Sequence, residues 1–303
     1  MRIVKGKKAT VEVERLAARS AAVDKAAEST ARTIIAAVRK GGDRALLTYA
    51  RKLDSVGAQP LRVSPAEMQH ALSSVSPDFR RALESAAANI RRFCEWQKPQ
   101  EFRREMQPGI SVGQVVRPLA SVGCYVPGGR YPLPSSLLMT VIPAQVAGVP
   151  RIAVASPRPA AETLAAAAIL GVTEFYRIGG AQAIAALAYG TDSLPRVDKI
   201  VGPGNKFVTA AKKLVAFDCS IDFLAGPTEV LIVSDTGEPE FIAADLVAQA
   251  EHDPDACSLF VTSATELARE VKEQVARLSF GNSTARQSLE GNGLILIAAT
   301  HAQ

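Results

Sequence analysis

Gln249 and His252 stand three residues apart in DLVAQAEHDPDA, residues 245 to 256. The stretch reads as helix, so both side chains leave one face, a turn from each other. A neutral imidazole and an amide oxygen are a plausible pair of ligands for a borderline divalent metal, although two donors close neither a tetrahedral nor an octahedral shell. The same pair also reads as a histidine offsetting a helix dipole beside a surface glutamine. Glu251 lies about 100° round the helix from His252, and Asp253 and Asp255 follow where the helix ends, so nearness in sequence assigns none of them as a ligand. The chain has three histidines; the others are His70, in a helical and exposed stretch, and His301, near the end, and neither completes a shell by spacing.

Glycines cluster where strands would end: Gly128-Gly129, Gly179-Gly180, Gly202-Pro203-Gly204 and Gly226-Pro227. A glycine turn leading into a helix offers backbone amides to an anion at the carboxyl end of a parallel sheet, and a nucleotide fits there. Any one of these glycines also reads as a tight turn needing a positive φ, and it is their number that favours the cofactor. The usual dinucleotide fingerprint is absent, because GPGNKF has Phe207 where the third glycine would stand. A nicotinamide cofactor would therefore be held in another way. There is no GxSxG elbow and no P-loop, and Cys124, beside Tyr125, has no motif naming an activating histidine, so it reads as a core strand cysteine.

The elements that would position these residues follow from patterning. Ser64-Pro65 and Ser76-Pro77-Asp78 each place a capping hydroxyl before a first-turn proline, predicting helix starts. Leu83, Ala86, Ala87, Ile90 and Phe93 then recur at helical spacing as one apolar stripe. From about residue 121, SVGCYVP, RIAVASP, EFYRIGG and DKIVGPG alternate with Ala- and Leu-rich helical stretches, the βαβ rhythm of a parallel sheet. CSIDF, EVLIVSD, CSLFVTS and GLILIAA read as a second series, separated partly by helices around 239 to 253 and 264 to 279. The expected fold is α/β: two Rossmann-like lobes with parallel-rich sheets flanked by helices, preceded by an N-terminal helical region. The expected divisions are a helical region over 1–110, a first lobe on the cofactor side over 111–237, and an incomplete second lobe over 238–303.

Bulk composition limits the classes. A chain of 303 residues, 48% hydrophobic and 21% charged, is long enough for two cores and unlike a disordered segment. It has no run of eighteen uncharged apolar residues and no apolar signal segment at MRIVKGKKATVEVERLAARS, which predicts no membrane partner and a cytoplasmic location. Four scattered cysteines without a CxxC pair predict reduced thiols. The net charge of +5 invites a nucleic-acid reading, but in RRFCEWQKPQEFRRE, residues 91 to 105, acids and Pro99 break the basic run. A solvated helix end followed by a loop accounts for it, and no nucleic-acid partner is expected.

The run IDFLAGPTEVLIVSD (221–235), followed by AADLVAQAEHD (243–253), resembles the signature of the histidinol dehydrogenase family. VGCYVPGG (122–129), LPSSLLMTVIPAQVAGV (133–149), IGGAQAIAALAYGT (178–191) and VDKIVGPGNKFVTAAKK (197–213) resemble its other blocks in the same order. The resemblance implies NAD-dependent oxidation of L-histidinol to L-histidine by two hydride transfers through histidinaldehyde, the last steps of histidine biosynthesis, in a homodimer with one zinc per site. It implies that Gln249 and His252 are zinc ligands bordering the substrate, that Thr228 touches the substrate, and that Tyr125, Gln182 and Asn205 contact NAD. The family's catalytic Glu-His pair lies in a Pro-Glu-His stretch, and its last two zinc ligands, an Asp and a His, lie further on; this sequence reaches none of them before Gln303. No residue here is therefore assigned to catalysis, and the chain by itself is expected to be inactive and to bind zinc weakly or not at all. Two other readings are a related NAD-dependent dehydrogenase of another small polyol, of the sulfopropanediol type, and a non-catalytic nucleotide-binding module.

Overall fold

The computed structural model describes residues 1–20, 25–128, 132–224 and 229–298, in two compact units. One comprises Met1–Val23 with Ala225–Gln303, the other Asp24–Leu224. The smaller unit opens with β1 (Arg2–Lys5) and α1 (Lys7–Ser20). The larger contains, in order, α2 (Lys25–Leu53), α3 (Pro65–Ser74), α4 (Pro77–Gln97), β2 (Phe102–Gln107), β3 (Ile110–Gln114), β4 (Ser121–Tyr125) and α5 (Pro134–Val146). It continues with β5 (Arg151–Ala155), α6 (Ala161–Ile169), β6 (Glu174–Tyr176), α7 (Gly180–Tyr189), β7 (Lys199–Val201), α8 (Lys206–Val215) and β8 (Ser220–Ile221). The smaller unit then resumes with β9 (Glu229–Val233), α9 (Pro239–Ala250), β10 (Cys257–Thr262), α10 (Thr265–Leu278), α11 (Ser283–Gly291) and β11 (Leu294–Ile297).

The larger unit is built on a parallel sheet ordered β6-β5-β4-β7-β8. The chain starts at the central strand β4, runs out to one edge, then crosses back to lay β7 on the other side. That reversal puts the topological switch point between β4 and β7, and it is in the crevice at the carboxyl ends of such strands that doubly wound sheets bind ligands. Strand side chains alternate between two cores: Val122, Cys124 and Val154 enter one, and Tyr125, Ala153 and Ala155 the other. α5 and α6 cover the first face, with α4 packed on α5 and α3 on α6; α7 and α8 cover the second, with α2 packed on both. Ser64 and Ser76 cap α3 and α4 through their hydroxyls, accepting from Glu67 N and Phe79 N, as the sequence predicts. Of the predicted stripe on α4, Leu83 and Ala87 are buried and Ala86 and Ile90 pack against them, but Phe93 is exposed.

The smaller unit holds the parallel sheet β1-β11-β10-β9, packed on α9, α10 and α11 through Leu246, Phe260, Val271, Leu289 and Ile295. The fold class is the expected one: parallel sheets flanked by helices. The compact units divide at 23/24 and 224/225, rather than at the expected 110/111 and 237/238. The reason lies in packing. The helices from 25 to 97 bury their apolar faces on the first sheet's own helices, and CSIDF supplies β8, which pairs with β7 instead of opening the second sheet. β1, in a stretch that reads as helical, pairs with β11.

A second correction concerns residues after α4, expected as loop. β2 and β3 form an antiparallel hairpin with a bulge between Glu105 and Gln107, and all its strand residues are exposed. The turn signal was present: Pro108-Gly109 stands between FRREMQ and ISVGQ, and Gly109 takes φ 79°.

Leu187 on α7 is fully buried and sits where a Cβ on Gly123 would strike it, 2.8 Å away. Leu187→Ala is expected to destabilise the chain by about 2–5 kcal/mol in denaturant titration. Phe217, fully exposed at 103%, offers the contrast, with Phe217→Ser staying within about 0.5 kcal/mol of wild type.

Candidate cofactor and substrate site

Tyr125 ends β4 at the crevice, and Gln182 lies in the first turn of α7; both are buried. They meet around the amino end of that helix. The Gly180 N–H donates to the Tyr125 hydroxyl at 3.2 Å, while Asp54, just beyond α2, accepts at one oxygen from Gly179 N–H and from Gln182 Nε2, each at 2.9 Å. An acid at a helix amino terminus complements the dipole. Burial nevertheless pushes the Asp54 carboxyl above the usual carboxylate range, its two hydrogen bonds opposing the shift. Burial, with Asp54 nearby, pushes the Tyr125 phenol up to about 12, so at neutral pH it is a neutral donor and acceptor. The other amide atom of Gln182, Oε1, is buried and has no hydrogen-bond partner among the described residues.

Asn205 is the cap of α8, its Oδ1 accepting from Phe207 N at 3.1 Å and Val208 N at 3.2 Å. The residue itself is exposed. Gly202, three residues earlier, takes φ 115°, and a Cβ there would lie 2.1 Å from the Tyr125 carbonyl oxygen. Only glycine fits so close an approach between the ends of β4 and β7.

The glycine turns were expected to hold their amides out to an anion. At three positions they do not: Gly179 N–H serves Asp54, Gly180 N–H serves Tyr125, and Gly202 N–H donates to Asp222 at 2.8 Å. The same Asp222 is paired with Lys212, whose side chain is buried on α8 and whose ammonium donates to the Gly202 carbonyl at 2.9 Å. Sequence reading missed Asp54, Lys212 and Asp222. Lys212 had left a signal, because with Val208, Ala211 and Val215 it falls on the buried stripe of α8, where a lysine requires a partner. Asp54 left none, being an ordinary polar residue after a helix.

In the smaller unit, α9 ends at Ala250 with Glu251 as its cap. Gln249, half-buried, therefore lies in the last turn, while exposed His252 lies beyond it in the turn whose N–H donates to the Gln249 carbonyl at 3.4 Å. The helix expected to run through both stops between them, although the pair remains at one end of it. Among the described residues no group of three histidine, cysteine or acidic side chains is placed to hold a metal. His70 is exposed on α3, and His301, Thr228, Gly129 and Gly226-Pro227 lie outside the described residues. All four cysteines are free thiols. Burial pushes Cys124 up to about 12 and Cys219 up to about 11, which rules them out as ready nucleophiles.

The raised Asp54 pKa gives a signed pH effect. A folded state that binds the proton more tightly than the unfolded chain is stabilised where the group is protonated, and loses that contribution as pH rises through the raised value. Asp54→Asn keeps an oxygen for Gly179 and Gln182 but removes the titration. Thermal melts between about pH 4 and pH 7 are expected to show wild type losing stability relative to this variant as pH increases; parallel curves would refute it.

Residues 17–303 match the family model described as histidinol dehydrogenase. The histidinol dehydrogenase of Methanothermobacter thermautotrophicus is 50% identical over 276 residues, covering 88% of this chain and 65% of that protein. That of Aquifex aeolicus is 45% identical over 291 residues, covering 94% and 68%. A crystal structure of histidinol dehydrogenase from Elizabethkingia anophelis superposes with a TM-score of 0.84 at 34% identity, over 90% of this chain and 65% of that one. The chain thus spans about two thirds of the length of the relatives it matches. Alike in sequence and in fold across that span, the chain belongs to the histidinol dehydrogenase family.

Proposed function

We propose that the chain is the larger part of a cytoplasmic, NAD-dependent dehydrogenase that oxidises L-histidinol to L-histidine as the last steps of histidine biosynthesis, working as a homodimer. The observation that carries this reading, in a member of this family, is the meeting of Tyr125 and Gln182 around the amino end of α7, at the carboxyl edge of a sheet whose strand order reverses between β4 and β7.

The residues present suit a dinucleotide. Gln182 Oε1 is an acceptor held out of water with nothing to accept from among the described residues, and a buried acceptor without a partner carries a cost of about 1–3 kcal/mol that a ligand N–H or O–H would relieve. Asp54 fixes which end of that amide is free by holding the nitrogen. Tyr125 offers a neutral hydroxyl, and exposed Asn205 a side-chain amide beside the turn after β7. Bound NAD⁺ supplies the hydride acceptor for each of the two oxidations. The protein's part is to hold that acceptor against the carbinol carbon, and then against the hydrated aldehyde, whose added water supplies the acid's second oxygen.

Zinc fits less well. Gln249 and His252 have donor chemistry suited to it, but two donors are half of a tetrahedral shell. By the family resemblance these two residues and Thr228 border the substrate, with the imidazole of His252 and the Gln249 amide orienting the polar groups of L-histidinol.

Titration calorimetry with NAD⁺ and with L-histidinol, with and without added zinc, tests the reading. Binding of NAD⁺ is expected, weakened by about tenfold in Gln182→Ala, the scale of one lost hydrogen bond. Binding of a sulfonated propanediol in place of L-histidinol would move the chain to a different substrate, and no NAD⁺ binding would sink the proposal.

A further inference from the structure

We propose that Lys212 and Asp222 form a positioning clamp that fixes the turn from Gly202 to Asn205 for the dinucleotide; this rests on the function proposed above. The clamp grips both backbone polar groups of a single residue. The Gly202 N–H donates to Asp222 Oδ2 at 2.8 Å, and the Gly202 carbonyl accepts from Lys212 Nζ at 2.9 Å, while the ammonium and Asp222 Oδ1 pair with each other. On its other side Gly202 lies against the Tyr125 backbone, so near that a Cβ would meet the carbonyl oxygen at 2.1 Å. The path by which the chain leaves β7 is thus set from two directions, by a strand and by an ion pair. Asn205 follows three residues later.

The carboxylate has a second task. Asp222 Oδ1 also accepts from Phe223 N–H at 2.7 Å, and the Asp222 N–H donates to the Ile200 carbonyl at 3.1 Å. One side chain therefore holds both the turn carrying Asn205 and the point where the chain leaves β8, six residues before Thr228. The Phe223 ring lies 5.4 Å from the ammonium and closes the pair on that side.

Stability alone does not call for this arrangement. Lys212 is 1% exposed on a stripe otherwise made of Val208, Ala211 and Val215. Buried ion pairs lose desolvation energy comparable to what they gain, and apolar replacements of similar volume are often as stable or more so. A methionine would continue the stripe, but it has nothing to offer the Gly202 carbonyl. What the charged pair adds is a defined position for two backbone groups at the edge of the crevice.

The test compares wild type with Lys212→Met/Asp222→Asn, which removes both charges together and leaves an oxygen for the Gly202 N–H. Three readings are taken: the thermal midpoint, amide hydrogen exchange over residues 200–208, and NAD⁺ affinity by calorimetry. The clamp predicts a midpoint close to wild type, faster exchange in that segment, and NAD⁺ affinity lower by at least about tenfold, the scale of one charge-assisted hydrogen bond. If the double variant does not fold, Asp222→Asn alone is judged by the same readings. Wild-type affinity and exchange in a folded variant would reduce the pair to a fold staple and overturn the clamp while leaving the proposed function standing. A wild-type chain that binds no NAD⁺ would overturn both.

Discussion

A parallel sheet buried on both faces cannot leave either side to water, and that constraint organises the larger unit. Its own crossover helices are short and rich in alanine: α6 is AETLAAAAI and α7 is GAQAIAALAY. Small side chains let these helices lie close to the strands but leave their outer surfaces apolar as well, and α7 is buried at Ala181 through Ala188. A helix apolar all round needs a further layer. α2 supplies it over α7 and α8, and α3 and α4 over α6 and α5. The helices from 25 to 97 are thus the outer shell of the sheet's own core.

The same layering delivers Asp54 to the crevice. Because α2 must run across α7 to cover it, the residue after its last turn arrives beside the amino end of α7, where its carboxylate meets two N–H donors. Packing of an apolar face and placement of a charged group are one event here. The crevice that results differs from the usual phosphate cradle, since the amides of Gly180, Gly179 and Gly202 are already taken by Tyr125, Asp54 and Asp222. Under the proposed function, the groups left for a ligand there are the side-chain amides of Gln182 and Asn205 and the Tyr125 phenol, in a chain whose GPGNKF lacks the standard third glycine.

Much of this was legible in the sequence because it is local. Capping serines before Pro65 and Pro77, the eight strands from SVGCYVP to GLILIAA, and the family blocks all rest on neighbouring residues. The misreadings share a cause. β1 is a strand only because β11 is beside it, CSIDF joins the first sheet only because β7 leaves an edge open, and the unit boundaries follow contacts between distant segments. The site divided in the same way. Tyr125, Gln182, Asn205, Gln249 and His252 were singled out by family resemblance, whereas Asp54 and Asp222 stand out through hydrogen-bond partners that spacing could not supply.

β1 carries a temporal consequence. Residues 2–5 pair with residues 294–297, so the smaller sheet contains the first and the last strands of the described chain. A chain made from its amino end releases the larger unit's residues, 24–224, in one continuous run, and that unit can begin to collapse while synthesis proceeds. The opening strand has no partner until β11 emerges, and its two edges stay open meanwhile. Closing so long a loop adds little entropic cost for its length, but it makes the β1–β11 pairing a contact of very high sequence separation. The three lysines and the arginine of MRIVKGKK keep the waiting segment charged and poorly disposed to pair with a stranger.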